Sequence, residues 1–172
     1  TLLYMGSFME YKNVETLIRA MEYLPDYELH LLSGIKEPRR QELTELIPAG
    51  AKIVFHNGVS DQEYEQLLSE CTALVTLSRE EGYGLPLVEA MSMGTPVVVT
   101  DMPIFREVAE EAALYASPDD APGFAEQVRT LADPATWKEF SQRAVQRAEH
   151  YSWERSAQQL LELAKYASDH RK

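Results

Sequence analysis

The chain has 172 residues, 45% hydrophobic and 26% charged, with a net charge of −12. That length supports one sizeable domain with a full core, while the acidic balance argues against a nucleic-acid surface or a basic membrane-docking face, both of which need clustered Lys and Arg. A single cysteine, Cys71, excludes an internal disulfide and fits a reducing compartment, and no apolar run reaches the roughly 18–20 residues that span a bilayer.

The chain opens at Thr1 directly inside an apolar run, Leu2–Met5, which reads as a first strand and as the start of a domain cut from a longer protein. No signal peptide is visible. After Gly6 comes a loop with Lys12, and Asn13 stands where it can cap a helix. Val14, Leu17, Ile18 and Met21 then form one apolar stripe. Glu28–Leu32 and Lys52–Phe55 read as the second and third strands, ending at Ser33-Gly34 and at His56-Asn57-Gly58-Val59. Ser60-Asp61-Gln62-Glu63 is a capping box that opens a helix carrying Tyr64, Leu67 and Leu68.

Ala73–Leu77 reads as the fourth strand and leads into Glu81-Gly82-Tyr83-Gly84-Leu85-Pro86-Leu87-Val88-Glu89. Here a strand, a glycine turn and a helix start with Pro86 in its first turn lie between two carboxylates. That arrangement presents free backbone N–H groups to an anion, and the flanking acids add acceptors for hydroxyls. Pro96–Thr100 and Ala113–Tyr115 complete six strands. Runs such as Val97-Val98-Val99 are apolar on consecutive residues, as in strands covered on both faces. After Tyr115 the alternation stops. A loop at 117–123 precedes helices capped at Asp133-Pro134 and at Ser152, the last with Ala157, Leu160, Leu161 and Ala164 on one side.

Strands alternating with helices mean an α/β domain, a doubly wound and mostly parallel sheet of about six strands with helices on both faces. Residues 1–172 form one domain, with the last helix (about 152–169) expected to pack back on it. Ligands of such sheets bind at the carboxyl ends of the strands, where all the loops above fall. A dinucleotide dehydrogenase is disfavoured, because Gly6 is followed by Ser-Phe-Met rather than Gly-x-x-Gly.

The run Glu81 to Met91 followed by Gly94-Thr95-Pro96-Val97-Val98 resembles the signature of family-four retaining glycosyltransferases, sugar-nucleotide enzymes of the two-domain GT-B fold. The resemblance extends to Gly6, Lys12-Asn13, Gly58-Val59-Ser60 and Tyr151-Ser152-Trp153, and so covers nearly the whole chain as a carboxy-terminal, Rossmann-like donor domain. It implies a donor that is a UDP- or GDP-linked sugar, no metal and no other cofactor. Glu89 would accept the ribose hydroxyls and Glu81 would face the transferred sugar. Lys12 would neutralise the diphosphate, which backbone N–H groups at Gly84, Leu85, Pro86 and Leu87 would cradle. Ser7 would lie beside the phosphates, with the base near Gly34, Gly58 and Val59. Glu81 and Lys12 are thus the catalytic candidates.

The resemblance also implies an amino-terminal acceptor domain outside this stretch, which would carry any membrane contact. The full-length protein would then be cytoplasmic, or peripheral at the inner face of a membrane.

The chain departs from that pattern in places. Ser7 and Tyr11 stand where many members have arginines on the phosphates. Lys36, Arg39 and Arg40 read as a solvated helix start, with a substitute phosphate ligand as the alternative. Relatives often have Gly-Asp or Gly-Asn near positions 110 and 111, where this chain has Glu110-Glu111. Trp153 and Tyr151 are read as packing anchors for the last helix, His56 as structural with base stacking as the alternative, and Cys71 as core. Two other functions stay open: a GT-B-type sugar-nucleotide epimerase or phosphorylase domain, and a non-catalytic nucleotide-binding scaffold.

Overall fold

A computed structural model describes residues 1–170. Six strands form one sheet: β1 (Leu2–Met5), β2 (Glu28–Leu32), β3 (Lys52–His56), β4 (Ala73–Thr76), β5 (Val97–Thr100) and β6 (Ala113–Ala116). Every pairing is parallel and the spatial order is β3-β2-β1-β4-β5-β6. The helices are α1 (Val14–Ala20), α2 (Glu37–Thr44), α3 (Asp61–Glu70), α4 (Leu85–Ser92), α5 (Pro103–Ala109), α6 (Ala121–Thr130), α7 (Pro134–Ala148) and α8 (Trp153–Asp169). This is the expected doubly wound α/β fold, and each strand lies within one residue of its expected bounds.

The consecutive apolar residues have the expected cause. Leu2, Tyr4, Val75 and Val98 face one core with residues of α1 and α6. Leu3, Leu74, Val97 and Val99 face a second core with residues of α4, α5 and α7. Burial on both faces removes any reason for polar alternation in the central strands. Cys71 is buried between α3 and β4, and burial pushes its thiol up to about 12. Ser60, Asp133 and Ser152 all cap as expected, and the Ser60–Glu63 box is complete in both directions. The 117–123 loop is shorter than expected: Asp120 caps α6, whose first residue is Ala121.

The last helix departs from expectation. It does not pack back on the domain, since none of its residues is buried, and Trp153, Leu160 and Leu161 are 79%, 68% and 63% exposed. Trp153 is therefore no packing anchor. Tyr151 is one: its hydroxyl donates to the Val108 carbonyl at 3.0 Å and accepts from Arg147 at 2.9 Å. An amphipathic stripe demands an apolar surface without saying which one, and this domain does not supply it.

The turn before β6 places Glu110 at φ 47°, ψ −124°, a backbone region that glycine favours. A Tyr115 hydroxyl on its carbonyl at 2.6 Å and an Arg147–Glu110 ion pair at 3.0 Å hold it there. Replacing a strained non-glycine residue releases about 1 kcal/mol or more, and an ion pair whose glutamate side is 60% exposed contributes less than that. Glu110→Gly is therefore expected to raise the midpoint of urea unfolding. A lowered midpoint would mean that the Arg147 pair outweighs the strain.

Candidate functional site

The strand order reverses direction between β1 and β4, so the loops after these two strands flank a crevice at their carboxyl ends. That is where open α/β sheets bind ligands. Lys12 lies in the loop after β1 and Glu81 in the loop after β4. They meet across 69 residues of sequence, with Lys12 Nζ 2.7 Å from Glu81 Oε1 and side chains only 16% and 14% exposed. Both line a cavity of about 310 Å³ whose walls include Gly6, Tyr83, Gly84, Leu85, Pro86 and Leu87. The structure thus brings the two catalytic candidates together with the glycine turn.

Local geometry explains how Lys12 is aimed. Asn13 adopts the left-handed conformation at φ 52°, ψ 40°, which Asn tolerates better than most residues. It occupies the N-cap position of α1, yet its side chain makes no capping hydrogen bond. Instead its amide donates to the carbonyls of Leu77 at 2.9 Å and Pro118 at 2.7 Å, and its Oδ1 accepts from Thr16 and Arg79. On the other side of Lys12, the Tyr11 carbonyl accepts from the Arg79 N–H at 2.7 Å. Lys12 is thereby held from both neighbours. The Tyr11 ring also lies 5.3 Å from its ammonium, so the residue standing where relatives have arginine supports the lysine rather than adding charge.

The cradle is narrower than expected. Gly84 caps α4 at φ +85°, and a Cβ there would come within 2.8 Å of the Phe105 ring, so backbone conformation and space both require glycine. The Leu87 N–H already donates to the Gly84 carbonyl at 2.9 Å, and Pro86 has no N–H. The N–H groups of Gly84 and Leu85 find no partner among the described residues and are the ones left for an anion. Pro86 and Leu87 contribute walls rather than donors.

The other arginines are spent elsewhere. Arg39 donates to the Phe8 carbonyl at 3.0 Å and pairs with Glu15 and Glu42, while Arg40 stacks over Phe55 and faces Glu37. This argues against a substitute phosphate ligand, but Arg39, half-buried, ties α2 to α1 and to the loop after β1 rather than standing in solvent. Arg79, which sequence reasoning passed over, grips Asp119 through both guanidinium nitrogens at 2.5 and 3.0 Å. Its place directly after the fourth strand was the available signal. Ser7 is exposed and offers its carbonyl to the buried Tyr4 hydroxyl at 2.6 Å, which also explains Gly6: a Cβ there would approach the Tyr4 hydroxyl to 2.8 Å.

Glu89 does not line the Lys12 cavity. It lines a neighbouring one of about 550 Å³ with Tyr83, Leu85, Val88, Tyr151 and Trp153, and Tyr83 and Leu85 are shared by both. Gly34, Gly58 and Val59 line neither cavity. They sit at the ends of β2 and β3, where Ile35 N–H bonds Asn57 Oδ1 and the Ser33 N–H bonds the His56 carbonyl. His56 Nε2 is 3.1 Å from His30 Nδ1, a contact within the sheet edge that agrees with the structural reading. Burial and the facing His56 keep His30 below the ordinary histidine range. Among the described residues no cluster of His, Cys, Asp and Glu could hold a metal ion, and no helix is long and apolar enough to cross a membrane.

Residues 1–151 match the family described as glycosyl transferases group 1. The chain belongs to that family. It is 33% identical over 132 residues to the O-antigen chain mannosyltransferase RfbU of Salmonella typhimurium, covering 75% of this chain and 37% of that protein. It is 28% identical over 141 residues to the GDP-mannose:cellobiosyl-diphosphopolyprenol alpha-mannosyltransferase of Xanthomonas oryzae, covering 77% and 37%. Sucrose-phosphate synthase from Thermosynechococcus elongatus superposes with a TM-score of 0.89 at 28% identity, over 99% of this chain and 46% of that one. The chain therefore spans less than half the length of these relatives.

The Asn13 bridges yield a stability test. Asn13→Ala leaves the buried Leu77 carbonyl and the half-buried Pro118 carbonyl without their donor, and an unsatisfied buried group costs about 1–3 kcal/mol. Urea unfolding should show a loss of roughly 2–4 kcal/mol for the pair. A loss below about 1 kcal/mol would show that water replaces the amide.

Proposed function

We propose that this domain is the donor-binding half of a retaining glycosyltransferase that takes a hexose from a nucleoside diphosphate sugar, with GDP-mannose the favoured donor. The Lys12–Glu81 pair, beside the free Gly84 and Leu85 amides in the β1/β4 crevice, carries this reading. Lys12 keeps two ammonium protons beyond the one it gives Glu81. With the positive end of α4 they would meet charge building on the departing diphosphate, which is why the reading calls for no metal or other cofactor. Glu81 would hold a hydroxyl of the transferred sugar or stabilise positive charge near its anomeric carbon. Glu89, one helical turn into α4, would take the ribose, with the base toward Gly34, Gly58 and Val59. The mannosyltransferase relatives support the choice of sugar, and the GDP-mannose in the name of the Xanthomonas oryzae relative supports guanosine over uridine.

The acceptor, in this reading, is a glycan, lipid or small molecule held by an amino-terminal domain of the full-length protein. The enzyme would work in the cytoplasm or at the inner face of a membrane.

The test is calorimetric titration of the 172-residue chain with GDP, UDP and ADP. GDP should bind saturably and best. With its neighbouring arginines committed, Lys12 is the cation the cavity offers, so Lys12→Ala should weaken GDP by about 10- to 100-fold, the equivalent of one charge-assisted hydrogen bond. Equal affinity for wild type and Lys12→Ala would sink the assignment. The chain alone should transfer mannose from GDP-mannose poorly or not at all, and efficient transfer would show that it holds the acceptor itself.

A further inference from the structure

Glu89 stands on the open side of α4, and nothing in its own helix fixes its carboxylate. What does is Tyr64, in the first turn of α3, whose hydroxyl donates to Glu89 Oε2 at 2.8 Å. The capping box decides where that tyrosine points. Ser60 and Glu63 cap each other's backbone N–H, and the Tyr64 N–H closes the first turn onto the Ser60 carbonyl at 2.9 Å. The ring is half-buried against the core that β4 and β5 share with α4, so it reaches Glu89 from a fixed platform. Burial, then the hydrogen bond and charge of Glu89, hold the phenol well above the ordinary tyrosine range. It is therefore an O–H donor at any working pH.

Resting on the donor-site reading above, we infer that Tyr64 is a positioning residue for the ribose: by occupying Oε2 it turns Glu89 Oε1 toward the nucleotide's 2′- and 3′-hydroxyls. A glutamate side chain has several rotatable bonds, and holding it in one rotamer before the ligand arrives removes part of the ordering cost of binding. The same contact ties the helix after the base-side loop to the helix that carries the sugar-side turn. Base and ribose contacts are thus set relative to each other before the nucleotide binds.

The experiment is a cycle between protein and ligand. GDP and 2′,3′-dideoxy-GDP are titrated into wild type and Tyr64→Phe by calorimetry, with thermal unfolding confirming that the variant is folded. Wild type should prefer GDP over the dideoxy compound. Tyr64→Phe should lose about fivefold in GDP affinity, as expected for weakened hydrogen bonding to a charged group, and should bind the dideoxy compound as wild type does. A purely structural role would lower both affinities alike, so equal losses, or no loss, overturn the inference while leaving the donor site standing. If wild type binds neither compound, or does not discriminate between them, the Glu89–ribose reading fails first and the role of Tyr64 falls with it.

Discussion

The site depends on one buried amide. A parallel sheet gathers its loops at one edge but does not hold them to each other, because each loop leaves its strand independently. Asn13 ties them. Its side chain uses both N–H groups and its oxygen to join the loop after β1 to the end of β4 and to the loop before α6. Its left-handed backbone turns the chain from the 3-10 turn that carries Lys12 into α1. The bonds to Leu77 and Thr16 are made in a buried interior, where an unmade one would be costly, and those to Pro118 and Arg79 are part-buried. The position of Lys12 is thus set by a structural junction, and its own bond to Glu81 adds a second tie between the loops after β1 and β4.

Charge is allocated in the same spirit. A protein of net charge −12 does not draw a diphosphate in by its overall field, so attraction has to come from local geometry. The arginines around the crevice are committed to carbonyls and carboxylates of the scaffold: Arg39 to Phe8 and Glu15, Arg79 to Asp119, Arg147 to Val108 and Glu110. What faces the cavity is one lysine, balanced by Glu81, and the unspent amides at the start of α4. The resulting site is nearly neutral. On the donor-site reading it would discriminate by the placement of donors and acceptors more than by bulk charge, with the Tyr11 ring 5.3 Å from the cation.

The elements themselves were legible in the sequence. Continuous apolar runs placed the six strands within a residue, and the Ser60–Glu63 box, Asp133 and Ser152 opened their helices where expected, since such signals act within a few residues. The glycine turn with its flanking acids Glu81 and Glu89 was legible in the same local way, whereas Lys12 was singled out by the family resemblance and its place at a strand end. What escaped were contacts between distant segments. Asn13 looked like a helix cap and is a bridge to positions 64 and 105 residues away. Arg79 was passed over and Tyr64 was read only as part of a helix's apolar stripe, and they hold Asp119 and Glu89. The last helix, amphipathic by pattern, was expected on the domain and stands off it, because a stripe records that an apolar face exists and not which surface covers it.

The sequence by itself determined the strands, most helix starts and the glycine turn between Glu81 and Glu89, because hydrogen bonding and hydrophobic periodicity in those elements are local. Only the tertiary structure decided that the loops after β1 and β4 are neighbours. It alone joined Lys12 to Glu81 across 69 residues, separated Glu89 into the adjoining cavity and left two amides, not four, to face an anion. The reason is the strand order: β1 lies beside β4 although two strands intervene in the chain, and no local signal carries that choice.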